Sequence, residues 1–279
     1  MPHLNRSTRL WPVWVLAGCA ALLLVATGCA ADSQTATSGE STQTSVQPGS
    51  SEQITSTAPT AAPPTTSSAP PVVTPDPTQD PVLIAAARAG DLTGVQQALA
   101  AGASVTATDQ EGQTALIAAA YGNHLSVAET LIAAGADVNT PDNSVQSAYL
   151  IATSEVGDDP RLLQLMLAHG ADVAALDSFN GTGLIRAADR GFPAIIATLL
   201  ATPIDVNHVN RLGWTALHEA IILGDGSAGY IETVRALIAA GADVNLRSQR
   251  DGITPLQHAE ARGYSTIANM LQEAGATRT

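Results

Sequence analysis

The side chains best suited to covalent chemistry are two thiols, Cys19 and Cys29, both near the start of a 279-residue chain. No cysteine follows them, so disulfides and thiolate metal sites are excluded from the rest of the sequence. His124, His169, His208, His218 and His258 could act as bases or ligands, but none has the spacing of a His-Glu-x-x-His zinc site. There is also no glycine-rich phosphate loop and no Gly-x-Ser-x-Gly nucleophile turn. Asp137, Asp205 and Asp243 recur in the tripeptide Asp-Val-Asn. That unit has too few oxygens for a calcium loop and suits a tight turn. What remains is non-covalent recognition, for which aromatic and arginine side chains are the usual anchors. Aromatics make up only 3% of the chain, so where they fall carries information.

The thiols sit in a recognisable export segment. Met1 to Leu10 contains Arg6 and Arg9 and no acid, an apolar run extends from Trp11 to Ala26, and Thr27-Gly28-Cys29 follows. A basic start, an apolar stretch and a small-residue site make a secretory signal. The cysteine after small residues resembles a bacterial lipobox, in which the thiol is acylated and the peptide is cut just before it. Leu16-Ala17-Gly18-Cys19 is nearer the usual wording, but cleavage there would leave Ala20-Ala21-Leu22-Leu23-Leu24-Val25 as an apolar stub. Cys29 ends the apolar run and is the expected lipidation site, with a signal peptide over residues 1–28. The alternatives are a plain signal peptide with an incidental cysteine and an uncleaved anchor, for which the run is slightly short. A lipid anchor would hold the chain on the extracytoplasmic face of the cell membrane.

Residues 29–78 are Ser, Thr, Pro, Ala and Gln with few charges and few large apolar side chains. Such a segment cannot bury enough surface to offset its ordering entropy, and a disordered linker is expected. As a flexible coil it would reach roughly 40 Å, and more with its prolines. Its Ser/Thr/Pro content also permits O-glycosylation.

From residue 79 to 279 the chain repeats itself. Gly-Ala-(Asp/Ser)-Val begins at Gly102, Gly135, Gly170 and Gly241, Gly275-Ala276 starts it again, and Pro203-Ile204-Asp205-Val206 fills the gap. A period near 33 with two short helices per unit defines a solenoid. Asp109-Gln110-Glu111-Gly112-Gln113-Thr114-Ala115-Leu116, Ala119-Ala120 and Gly135-Ala136-Asp137-Val138-Asn139 resemble the ankyrin repeat. So do Gly213-Trp214-Thr215-Ala216-Leu217-His218 and Gly252-Ile253-Thr254-Pro255-Leu256. The resemblance implies an all-α ankyrin-repeat solenoid of about six helix-turn-helix units with short β-turn fingers. Thr114, Thr182, Thr215 and Thr254 stand where a hydroxyl caps the first helix of a unit. Gly90, Gly191 and Gly263, and Asn123 in the second repeat, stand where the backbone turns left-handed. Three departures stand out: Val145 in place of a finger glycine, Tyr149 in the leucine position, and extra residues at Val156–Asp159 and Gly224–Ala228.

The same resemblance places partner contacts on the finger tips and first-helix ends along the concave face. Carried over position by position, these are Gln110, Glu111, Tyr121, Glu155, Phe179, Arg190, Arg211, Trp214, Ile222, Arg250 and Arg262. Tyr121, Phe179 and Trp214 are the candidate aromatic anchors, with packing between fingers as the competing role. His218, His258 and His124 fall at positions where ankyrin histidines brace neighbouring loops.

The net charge is −13, and all twelve basic residues are arginine. This argues against a nucleic-acid partner. Repeats two and three carry ten carboxylates against Arg161 alone, which predicts a groove that attracts a basic patch on a partner protein. The expected function is therefore a monomeric, non-catalytic protein-binding module needing no cofactor or metal. A structural or adhesive envelope role is the alternative. The resemblance to exported bacterial ankyrin proteins adds a third, assistance to a catalase-like redox enzyme.

Overall fold

The computed structural model describes residues 74–278. The expected export segment, Cys19, Cys29 and the expected linker up to Val73 lie outside the described residues.

The short first helices of the second to sixth repeats form because each carries its own start signal. Thr114, Ser147, Thr182, Thr215 and Thr254 each hold extended backbone and accept from the amide three residues on, at 3.2–3.4 Å. Helices of seven or eight residues are marginal alone, so these caps and inter-repeat packing sustain them. The result is six antiparallel pairs: α1 (Asp80–Ala89) with α2 (Leu92–Ala100), α3 (Ala115–Tyr121) with α4 (Leu125–Ala133), and α5 (Ala148–Ser154) with α6 (Arg161–Ala168). These are followed by α7 (Gly183–Arg190) with α8 (Pro193–Leu200), α9 (Ala216–Ile222) with α10 (Ala228–Ala239), and α11 (Pro255–Ala261) with α12 (Ser265–Glu273). Odd-numbered helices pack on one another along one layer and even-numbered helices along a second. Among the described residues the sole β pairing is an isolated bridge between Thr108 and Thr114, so the fingers are turns and not strands.

The left-handed positions fall where the pattern predicts: φ is +71° at Gly90, +65° at Gly191, +72° at Gly263 and +52° at Asn123. One continuous apolar core runs from Leu83 to Leu271. Ala118, Ala119 and Ala120 are all buried, and these small side chains let α3 approach α1 and α5 closely. Tyr149, unusual in a leucine position, is fully buried and donates to the Val173 carbonyl at 3.3 Å. Gly183 makes the room, since a Cβ there would stand 2.7 Å from the Tyr149 hydroxyl oxygen.

Asparagines of the Asp-Val-Asn units stitch the repeats together. Asn139 donates from its amide to the Gly170 carbonyl at 3.0 Å and accepts from the Asp172 amide at 2.8 Å. Asn207 does the same with Gly241 and Asp243, and Asn245 with Gly275 and Thr277. The preceding aspartates Asp137, Asp205 and Asp243 accept from the amide two residues on, which closes each turn. In the third repeat this asparagine position holds Ala174, so the stitch is missing between repeats three and four.

The extra residues of the third repeat serve that same joint. Asp158 Oδ1 accepts from the amides of Ala194 at 2.8 Å and Ile195 at 3.1 Å, capping α8 from the neighbouring repeat. The N-cap residue of α8 itself, Phe192, has no side-chain cap bond. Asp158→Ala should lower stability by about 1 kcal/mol, read as a shift of the urea midpoint at unchanged m value. No shift would mean the carboxylate leaves α8 unaffected. The Gly224–Ala228 insertion is also anchored, because Tyr264 donates from its hydroxyl to the Gly224 carbonyl at 2.9 Å.

Repeat contacts begin slightly before residue 79. The Asp76 amide donates to the Gly102 carbonyl at 2.8 Å, so Thr74 to Thr78, placed in the linker on composition, lie against the first repeat.

Candidate protein-binding surface

Each finger is closed by a polar side chain at its base. Asp109, Asp142, Asp177 and Asn210 accept from amides two and four residues on, and Ser248 from the amide two residues on. Successive fingers are then linked by main-chain hydrogen bonds, Asn143 N to Glu111 O at 3.1 Å, Arg211 N to Phe179 O at 2.9 Å and Gln249 N to Gly213 O at 3.0 Å. The corresponding bond from Ser178 N to Ser144 O is missing among the described residues.

The missing bond coincides with Val145. Its φ is +63°, where the other fingers have Gly112, Asn180, Gly213 and Gly252. A β-branched residue is strained there, by about 1–3 kcal/mol. At Gly112 a Cβ would come within 2.6 Å of Asn143, so a close neighbouring finger demands glycine. Asn180, unbranched, leaves its inter-finger bond intact. Val145 is 43% exposed, and Leu176 and Phe179 on the next finger are 36% and 49% exposed.

The joint between repeats three and four is closed by one arginine instead. Arg186 on α7 is buried, with Nη1 3.1 Å from Asp177 Oδ2. Nη2 donates to Gln146 Oε1 at 2.9 Å and Ser154 Oγ at 2.7 Å, with Glu155 Oε1 at 3.5 Å. The repeat pattern alone does not single out Arg186 for this role. The available signal was an arginine among small and apolar residues on the inward side of a first helix.

The candidate contact residues divide by environment. Gln110, Glu111, Tyr121, Glu155, Phe179, Arg190, Arg211, Arg250 and Arg262 are exposed, and Ile222 is half-buried. Tyr121, Glu155 and Arg190 end three successive first helices, with Arg190 3.4 Å from Glu155. Partial burial, then the charges of Asp142 and Glu155, push the Tyr121 hydroxyl up to about 12. Arg211 is drawn back, donating from Nη1 to the Ser178 carbonyl at 2.8 Å. Arg250 lies 5.8 Å over the Trp214 ring and Arg262 6.0 Å over that of Tyr264, both in cation–π range.

Trp214 does not behave as an exposed anchor. It is 8% exposed, its indole donates to Ser248 Oγ at 3.1 Å, and it fills the seam between its own finger and the next. For this aromatic the packing role prevails. The predicted acidic half is also smaller than its carboxylate count. Asp158 caps α8, Asp159 pairs with Arg161 at 2.6 Å, and Glu155 is braced by two arginines. Among the described residues Glu111 and Asp142 have no cationic partner within 4 Å.

His124, His208, His218 and His258 are framework groups, whereas His169 is exposed at the end of α6. His124 Nε2 lies 3.2 Å from the Arg88 carbonyl, and His208 Nε2 lies 2.8 Å from the Asn180 carbonyl. His218 is fully buried, accepts from the Thr215 amide on Nδ1 at 3.3 Å to close a capping box, and meets the His258 ring edge-on at 6.3 Å. Burial first, then the nearby His258, lower its pKa to about 4.

This arrangement defines a solenoid scaffold presenting finger tips and helix ends, a class suited to surface recognition. The family described as Ankyrin repeats (3 copies) matches residues 72–142, 149–248 and 184–278, and the chain belongs to the ankyrin-repeat family. Ankyrin repeat protein YahD of Escherichia coli K12 is 37% identical over 192 residues, spanning 68% of this chain and 94% of its own length. The ankyrin repeat domain ABAYE2397 of Acinetobacter baumannii AYE is 45% identical with a TM-score of 0.65, over 70% of this chain and 98% of its own. A chain in the complex of predatory endopeptidase Bd0816 of Bdellovibrio bacteriovorus with immunity protein Bd3460 is also similar. It is 26% identical with a TM-score of 0.60, over 69% of this chain and 97% of its own.

Proposed function

We propose that this chain is a non-catalytic protein-binding module, tethered by lipid on Cys29 to the extracytoplasmic face of the cell membrane. Its partner is a protein with a basic patch, engaged along the finger tips and first-helix ends. The observation that carries the reading is the contrast along the first helices. Their pattern positions are buried, while the variable end positions Tyr121, Glu155 and Arg190 turn outward side by side. Family membership supports a binding module, and one structural relative occurs in a protein–protein complex. The membrane tether rests on the export segment and on the Cys29 site at the end of its apolar run.

Two measurements test the two halves. Cys29→Ser should release the chain from the membrane fraction and abolish incorporation of labelled fatty acid, whereas Cys19→Ser should change neither. The reverse pattern would move the anchor to Cys19. For binding, the full chain in detergent serves as bait beside a Tyr121→Ala/Arg190→Ala variant of equal melting temperature. A protein held by the native bait and lost from the variant supports the reading. Equal retention by both would move the contact off this face and favour a structural envelope role.

A further inference from the structure

We propose that the interval between the second and third fingers receives an extended segment of the partner protein, one that combines a basic residue with an apolar one. The segment's main chain satisfies the Ser144 carbonyl and the Ser178 amide. Its apolar side chain lies across Val145 and Phe179, and its basic side chain faces Glu111. This deepens the binding-module reading and rests on it, adding the place and the chemistry.

Three observations converge on the interval. The first is main-chain: the other three finger pairs from Asp109 to Gly252 are bonded, and this pair lacks the bond between two exposed residues, Ser178 and Ser144. Unpaired main-chain groups side by side are a template for an added extended chain. The second is apolar. Val145, Leu176 and Phe179 are three of the five large hydrophobic residues exposed among the described residues, and they lie on these two fingers and their approach. Val145 holds a left-handed backbone that glycine fills in three of the other four fingers, so its apolar side chain is kept at a conformational cost. The third is charge. Glu111, exposed on the first finger, lacks a cation within 4 Å, whereas the carboxylates near it are paired with arginine or, like the buried Asp142, close a turn.

Charge also selects the occupant. The chain's own segment from Ala30 to Thr78 contains no basic residue, and a second copy carries a net charge of −13, so neither complements the unpaired Glu111 carboxylate. A partner segment bearing Arg or Lys next to a branched or aromatic residue does. Alternation along an extended chain sends these two side chains to different neighbours while the main chain stays on Ser144 and Ser178.

The test uses the full chain in detergent to select from a phage-displayed library of random linear dodecapeptides. A Val145→Gly/Phe179→Ser variant serves for counter-selection. Enriched peptides should pair a basic with a branched or aromatic residue. A synthetic peptide from the selection should lose at least tenfold in affinity on Val145→Gly, measured by fluorescence anisotropy. Glycine removes strain as well as the side chain, so the melting temperature of that variant should be unchanged or higher, and misfolding cannot explain the loss. N-methylation of one central peptide amide should weaken binding as much. Equal affinity for Val145→Gly, enrichment of acidic peptides, or no enrichment at all would overturn the proposal. Peptides lost on Tyr121→Ala/Arg190→Ala but held by Val145→Gly would overturn it while leaving the binding-module reading in place.

Discussion

Replacing Arg186 by methionine is expected to lower the unfolding free energy by about 3 kcal/mol and to divide one cooperative transition into two. The guanidinium is buried against Asp177, whose side chain is 7% exposed, so its loss leaves a carboxylate in a low-dielectric site without its cation. The two amides that donate to Asp177, from Phe179 and Gly181, compensate only part of that cost. The second effect follows from where Arg186 stands. A repeat array stays cooperative only while each interface is strong enough to couple its neighbours. Between repeats three and four the asparagine stitch is replaced by Ala174 and the finger bond is missing. Polar coupling there falls to Arg186 with Gln146 and Ser154, to the Glu155 pairs with Arg186 and Arg190, and to the Asp158 cap. In a background with Trp11 and Trp14 changed to Phe, Trp214 fluorescence reports the later repeats while circular dichroism reports all helices. Urea curves from the two probes should coincide for the parent and separate for Arg186→Met. Adding Asp177→Asn should recover most of the loss, since no buried charge then lacks a partner. Coincident curves with a small shift would mean the joint is held by apolar packing alone.

Acid should destabilise the later repeats through His218. Its pKa in the folded protein is about 4 against an ordinary value of 6.5, lowered by burial and by His258. The folded state thus holds the neutral ring while the unfolded chain takes up the proton. The associated stability is complete above pH 6.5 and is lost as pH falls from 6.5 towards 4, amounting to about 3 kcal/mol at the lower limit. His258, also pushed below its ordinary value chiefly by burial, adds in the same direction. Glutamine is the informative replacement, because Gln257 already closes the same capping box in the last repeat, accepting from the Thr254 amide at 3.0 Å. His218→Gln should keep most of the stability at neutral pH and remove much of the decline between pH 7 and pH 4. Urea midpoints for both proteins across that range provide the check. Parallel curves would assign the acid sensitivity to carboxylates instead.

The two effects have different origins in the sequence. The capping histidine is part of the repeat pattern, so its place at the third position of α9 could be read from Thr215-Ala216-Leu217-His218. Its burial could not, because that depends on the next repeat laying His258 and the Leu246 backbone against it. Arg186 sits at a position where the pattern tolerates many residues. Only the approach of Gln146, Ser154 and Asp177 converts it from a surface charge into an interior tie.

The sequence by itself determined the repeat period, the helix starts at Thr114, Thr182, Thr215 and Thr254, and the left-handed ends at Gly90, Asn123, Gly191 and Gly263. These follow from local backbone chemistry, in which a hydroxyl meets an amide three residues away and a missing or tolerant side chain permits positive φ. Val145 and the Val156–Asp159 insertion were also visible, as departures from the pattern. The tertiary structure decided which exposed-looking residues are exposed. Trp214 was drawn into the seam by Ser248, while Tyr121 and Phe179, equally aromatic, stayed outside. It also decided which carboxylates remain free, since Asp158 and Glu155 each found a partner in the next repeat and Glu111 did not. Those outcomes depend on distances between residues about one repeat apart, set by how adjacent repeats stack, and no local pattern in a single repeat encodes them.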